Sequence, residues 1–262
     1  MLTAFTLFFP ATHNFWHNQM FGIPQPSPYD LNFRLVGIPV RITPVFWIMS
    51  IVLGWGNGEP TEVAIWVGCV LISIIVHEMG HALTNRLFGL RSVIVLHGLG
   101  GVCGSEDKPI SSWKRILVLF NGPAAGFILA ALVYALLRAG LQGVLPAAIN
   151  INSPVQKEII NNLLTINIFW GLLNLIPIWP LDGGQIMGVL LKKISRWRGQ
   201  EFMHGLSMLV AAGLGVWLYQ RNGDVYNIFL LGLIAMQNFQ MLQFLHARQT
   251  QFTEEDDQWW RR

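Results

Sequence analysis

VAIWVGCVLISIIVHEMGH, residues 63–81, is an apolar run that closes on two histidines and a glutamate. Its first fourteen residues, Val63 to Val76, contain no charged side chain, and apolar residues continue beyond the histidines. The stretch reads as a membrane-crossing helix over 62–87. His77 and His81 are four residues apart, so a helix sets both imidazoles on one face, where they can share one zinc ion. Glu78 points close to the same face, where a carboxylate can take a proton from a water activated by the metal. Ionisable groups at membrane depth are costly and tend to be functional. The expectation is a hydrolytic metal centre inside the bilayer.

Composition agrees with a membrane protein. Of 262 residues, 53% are hydrophobic and 12% are charged, and mean hydropathy is +0.46. Soluble domains carry about twice that charged fraction. Eleven Trp and 26 Gly suit interfacial anchoring and close helix packing. The net charge of +3 is explained by loop sidedness rather than by nucleic acid. Cys69 and Cys103 have neither the setting of a structural disulfide nor CxxC spacing. The N-terminal MLTAFTLFFP lacks a basic region and a small-residue cleavage site, and it reads as an interfacial or packed segment.

The fold expected is an all-α polytopic membrane protein of about six transmembrane helices. Residues 31–43, LNFRLVGIPVRIT, alternate and contain β-branched residues, which predicts short strands before the first span. A second β-element is expected after the HExxH helix. Spans are read at 44–56, 62–87, 115–138, 158–192, 202–219 and 225–245. The fourth is interrupted by Pro177, Pro180, Gly183 and Gly184, and broken helices are tolerated where they line a polar cavity. The domain reading is an N-terminal interfacial segment 1–43, a transmembrane domain 44–246 and a polar tail 247–262.

Alternating spans put Arg34, Arg41, Arg86, Arg91, Lys108, Lys114, Arg115, Lys192, Lys193, Arg196, Arg198, Arg248, Arg261 and Arg262 on one side. That is fourteen of the 17 Lys and Arg, leaving Arg138, Lys157 and Arg221 on the other. The positive-inside rule makes the richer side cytosolic, with both termini on it.

A catalytic zinc usually takes three protein ligands and a water. Beyond His77 and His81, the candidates are His97, Cys103, His204 and Asp182. Asp182 fits best, because an aspartate in an apolar segment needs a partner, and the glycines beside it let the backbone open. The competing reading makes Asp182 an N-cap for residues 184–192. His97 reads more simply as a loop histidine near the headgroups, with a substrate-side donor as the alternative.

HEMGHA at 77–82 with NLIPIWPLDGG at 174–184 resembles the site-2 protease family of intramembrane zinc metalloproteases. Asn174, Pro177, Asp182 and Gly183 match the family's second motif. GIPVRITPVFW at 37–47, Leu99-Gly100-Gly101 and Gly122-Pro123-Ala124-Ala125-Gly126 agree with it, so the resemblance covers about residues 31–192. It implies one zinc held by His77, His81 and Asp182, with Glu78 as catalytic base and Asn174 as a polar contact or oxyanion donor. It also implies a transmembrane protein substrate in a bacterial or archaeal cell membrane, and leaves room for a separate substrate-presenting protein. Neither a PDZ nor a CBS domain is evident, which reads as a minimal six-span form. A metal transporter or sensor using the same ligands is the alternative; it would need ionisable residues along a continuous path, and residues 202–245 offer few.

Overall fold

The computed structural model describes residues 25–55, 59–98, 100–141, 153–195, 198–223 and 225–256. Two short hairpins and seven helices account for most of them. Strands β1 (Leu31–Leu35) and β2 (Ile38–Ile42) are followed by helices α1 (Pro44–Gly54) and α2 (Pro60–Leu87). Strands β3 (Ser92–His97) and β4 (Gly100–Ser105) lead into α3 (Ser112–Leu141) and α4 (Pro154–Asn174). Helices α5 (Asp182–Ile194), α6 (Gly199–Asn222) and α7 (Val225–Asp256) complete the order. By compactness the chain divides after Leu172, near the end of α4.

In the first unit the strands form one sheet in the order β1-β2-β3-β4. The hairpins are antiparallel, and β2 and β3 pair in parallel with Val40 opposite Ile94. A parallel pair requires a crossover, supplied here by α1 and α2. The two-residue turn Val36-Gly37 has φ of 51° and 77°. Positive φ at both positions matches the twist of a tight hairpin, and Gly37 takes it without a Cβ penalty. Alternation puts Ile38, Val40 and Ile42 on one face, where they join Ile94 and Leu96 of β3 and Ile74, Met79 and Ala82 of α2. Helix α2 is thus seated on the sheet through the turns that flank its two histidines. On β2, Arg41 is also buried, 3.5 Å from the Asp30 carboxylate; burial lowers its pKa and the Asp30 charge opposes that shift.

In the second unit Ile178, Ala211 and Leu231 form a small core. They come from the segment before α5, from α6 and from α7 in turn.

Two sequence expectations change. Among the described residues, three helices are long and apolar enough to cross a membrane: Pro60–Leu87, Ser112–Gly140 and Gly199–Arg221. The expected first span is an 11-residue helix, about 16 Å long and well short of the ~30 Å hydrocarbon layer. The expected span 158–192 is two helices, because the chain turns between Asn174 and Asp182. Pro177 and Pro180 provide no backbone N–H, so no helical ladder can pass through them. The sheet also makes the protein mainly, not wholly, α-helical. Residues 1–24 and 257–262 of the expected terminal segments lie outside the described residues.

Candidate metal and catalytic site

His77 and His81 lie one turn apart on α2, and both are buried. Their Nε2 atoms are 3.2 Å apart. The Nδ1 atom of His81 lies 2.7 Å from the carbonyl oxygen of Val118 on α3. A carbonyl only accepts, so Nδ1 carries the proton and Nε2 keeps its lone pair for a ligand. Two nitrogens on a tetrahedral zinc, each at 2.0–2.1 Å, would be about 3.3 Å apart. The observed pair fits that geometry, and the hydrogen bond to Val118 is the outer support that metal-binding histidines usually have.

Small residues permit this approach of α2 and α3. A Cβ on Gly80 would collide with the Asn121 carbonyl, and one on Gly122 would collide with the His81 ring. Asn121 Nδ2 donates to Thr84 Oγ1 at 2.8 Å, and Thr84 Oγ1 donates to the Gly80 carbonyl at 2.7 Å. One turn earlier on α2, Ser73 Oγ accepts from Asn167 Nδ2 on α4 at 2.8 Å. These contacts fix the rotation of α2 and so the direction in which its histidines point.

Glu78 is 5% exposed and faces β4. A Cβ on Gly101 would lie 2.5 Å from its Oε1, so any larger residue there would push the carboxylate aside. The Glu78 carboxylate is therefore confined by the strand laid over it.

Asp182 is the first residue of α5, with Leu181 at the N-cap position. It does not take the N-cap place that competed with the ligand reading. The chain before it folds back tightly. Leu181 N–H donates to the Ile178 carbonyl at 2.8 Å, and Ile178 N–H to that of Ile176 at 2.7 Å. Cβ atoms on Gly183 and Gly184 would strike the backbone of Leu175, Ile176, Ile178 and Trp179. The glycines after the aspartate thus let the turn pack on the start of its own helix.

Among the described residues, one group of side chains is placed to hold a metal ion. The ligand atoms of His77, His81 and Asp182 all lie within 4.8 Å of one another, and all three residues are buried. Two imidazole nitrogens and a carboxylate oxygen form a donor set suited to catalytic zinc.

The other candidates lie elsewhere. His97 ends β3 opposite Gly100, and Cys103 is in β4 opposite Ile94, so both belong to the sheet rather than to a loop. Burial, aided by the nearby Arg41 charge, holds the His97 pKa below the usual imidazole value. His204 lies on α6, its Nδ1 2.9 Å from Asn238 Oδ1. Asn174 is the buried last residue of α4. Both cysteines are free. The sequence reading missed the Val118 carbonyl, Thr84, Asn121 and Asn167. The only signal for the side chains among these was a polar residue in an otherwise apolar helix.

The chain resembles known proteins. The profile of peptidase family M50 matches residues 65–163 and 153–218. The chain belongs to peptidase family M50. Rip3 of Mycobacterium tuberculosis is 33% identical over 71% of this chain and 44% of its own length. A zinc metalloprotease of Methanocaldococcus jannaschii is 27% identical over 78% of this chain and 54% of its own length. The chain thus spans about half the length of these relatives. The solved structure of the site-2 protease from Methanocaldococcus jannaschii is similar in fold, with a TM-score of 0.55 and 21% identity. That match covers 82% of this chain and 95% of the other.

Proposed function

We propose that this M50 protein is an intramembrane zinc endopeptidase that hydrolyses peptide bonds within or beside the transmembrane segments of other membrane proteins. The convergence of two histidines and an aspartate, buried and next to a confined glutamate, carries the reading. His77, His81 and Asp182 hold the zinc. When bound, zinc supplies a Lewis acid that acidifies a water and polarises the substrate carbonyl. Glu78 takes the proton from the attacking water and passes it to the leaving amine. Asn174 donates a hydrogen bond to the carbonyl oxygen as charge develops there.

Water and substrate must both reach this point. Along α2 at 1.5 Å per residue, Arg86 lies about 7–8 Å from His81 and 13–14 Å from His77. Water therefore enters from the end of α2 that carries Arg86, which the loop charges assign to the cytosol. A helical substrate must unwind to expose its peptide bonds, and Gly, Pro or Asn in its span makes this easier. β4 is an edge of the sheet, and an unwound segment can pair with it beside Glu78.

The same reading places the protein in a bacterial or archaeal cell membrane with both termini cytosolic. It has six passages, in which α1 and the α4–turn–α5 segment supplement the longer helices. Substrate choice then falls on the membrane domain or on a separate presenting protein. The test compares membrane-protein fragments in cells carrying wild type and Glu78→Gln. Cleavage should disappear in the variant while about one zinc per chain remains bound; continued cleavage would sink the mechanism.

A further inference from the structure

The turn before α5 is held by groups that the proposed chemistry does not use. Ser207 on α6 and Asn238 on α7 are both fully buried. The backbone N–H of Trp179 donates to Ser207 Oγ at 2.9 Å. Asn238 Nδ2 donates to the carbonyl oxygen of the same residue at 2.8 Å. One peptide unit on each side of a single residue is thus pinned, each by a side chain from a different helix. Both pinning groups are fixed in turn. Ser207 Oγ donates to the Met203 carbonyl at 2.8 Å, and Asn238 Oδ1 faces His204 Nδ1 at 2.9 Å. The His204 ring also lies edge-on to Trp179, with centroids 5.3 Å apart. Next to this residue, Ile178 is 1% exposed in the core formed with Ala211 and Leu231.

Trp179 is three residues before Asp182, and the intervening turn has little freedom to dissipate that hold. Leu181 N–H is bonded to Ile178, and Gln185 Nε2 donates to the Pro180 carbonyl at 3.1 Å. Gly183 and Gly184 lie directly on the backbone of residues 175–179. We infer that Ser207 and Asn238 are positioning residues that clamp the Trp179 backbone and so set the Asp182 carboxylate in place before the metal arrives. The inference deepens the proposed function and rests on Asp182 being a zinc ligand. A side chain that orients a ligand in this way typically contributes 10–100-fold to metal affinity.

The test uses detergent-solubilised full-length protein as wild type, Ser207→Ala and Asn238→Leu. Zinc affinity is measured by chelator competition, and the visible spectrum of the cobalt(II)-loaded form is recorded. Both variants should bind zinc about 10–100-fold more weakly, with an altered cobalt spectrum at unchanged helix content. A purely structural role would lower the melting temperature and leave the spectrum of the folded fraction alone. Amide hydrogen exchange of residues 175–183 in metal-free wild type provides a readout that needs no variant. The clamp predicts protection there without zinc; rapid exchange that slows only on zinc addition overturns it. Wild-type affinity and spectrum in both variants also overturn the clamp while leaving the zinc reading intact. A wild-type protein that binds no zinc overturns the zinc reading itself.

Discussion

Two glycines separate the tasks of the site residue by residue. Gly122 faces the His81 ring and Gly101 faces the Glu78 carboxylate, and neither leaves room for a Cβ. Adding a methyl group at either place forces a shift costing about 1–3 kcal/mol, but on different chemistry. Gly122→Ala displaces the proposed ligand His81, so zinc affinity should fall at least tenfold, in the range of supporting-shell losses, and activity with it. Gly101→Ala displaces the proposed base Glu78, so zinc should stay bound while turnover falls by about 10²–10⁴-fold, the usual worth of a general base. Zinc stoichiometry and peptide cleavage on the same preparations check both. Equal effects of the two substitutions on zinc would refute the separation. The sequence singled out His77, Glu78, His81 and Asp182 because their chemistry is unusual in an apolar setting, and the structure brings His77, His81 and Asp182 together. The glycines were visible only as motif letters, since what a missing Cβ makes room for depends on the facing element.

The elements show a similar boundary between pattern and packing. The β-branched alternation of 31–43 announced strands, and the structure forms β1 and β2 there. The parallel pairing of β2 with β3 is set by contacts some fifty residues apart in sequence, such as Val40 with Ile94, which no local period records. Hydropathy likewise runs almost unbroken from α4 into α5. Pro177 and Pro180 therefore read as an interruption of one helix, whereas Ser207 and Asn238 grip the backbone between two. These residues appear in sequence only as isolated polar groups in apolar helices, the signal that an intramembrane partner exists. The sheet also carries a proton-linked term. His97 at the end of β3 has its pKa lowered, chiefly by burial and secondarily by Arg41. With a depressed folded-state value, the unfolded chain takes up the proton first. Stability is therefore complete above the ordinary imidazole value of 6.5 and declines as pH falls through it toward the lower folded value. Hydrogen exchange of strand amides between about pH 7 and 5 should reveal this loss. His97→Gln should flatten the slope, and an unchanged slope would assign the effect to another group.

At the scale of the whole molecule, charge placement determines which way the centre faces. α2 and α3 are 28 and 30 residues long, about 42 and 45 Å, enough to cross the ~30 Å hydrocarbon layer with a turn or more to spare. They pack antiparallel around the glycines at 80 and 122. The Arg86 end of α2 therefore lies with the Lys114–Arg115 end of α3, and Arg138 lies at the opposite end. In the proposed alternation of six passages, fourteen of the 17 Lys and Arg are assigned to the Arg86 side. His81 is nearer to that side than His77, so under the proposed function the orientation also determines where water enters and on which side a cleaved product is released. Cysteine labelling in intact cells tests it. Lys108, with a side chain 60% exposed, lies in the loop between β4 and α3; Lys157 lies in the first turn of α4. Starting from Cys69→Ser, Cys103→Ser protein, Lys157→Cys should react with a membrane-impermeant maleimide added outside. Lys108→Cys should react only after permeabilisation. The reverse pattern would turn the molecule over and put its water entry on the outer face. Outside labelling at both positions would remove a passage between them and refute the alternation on which the orientation depends.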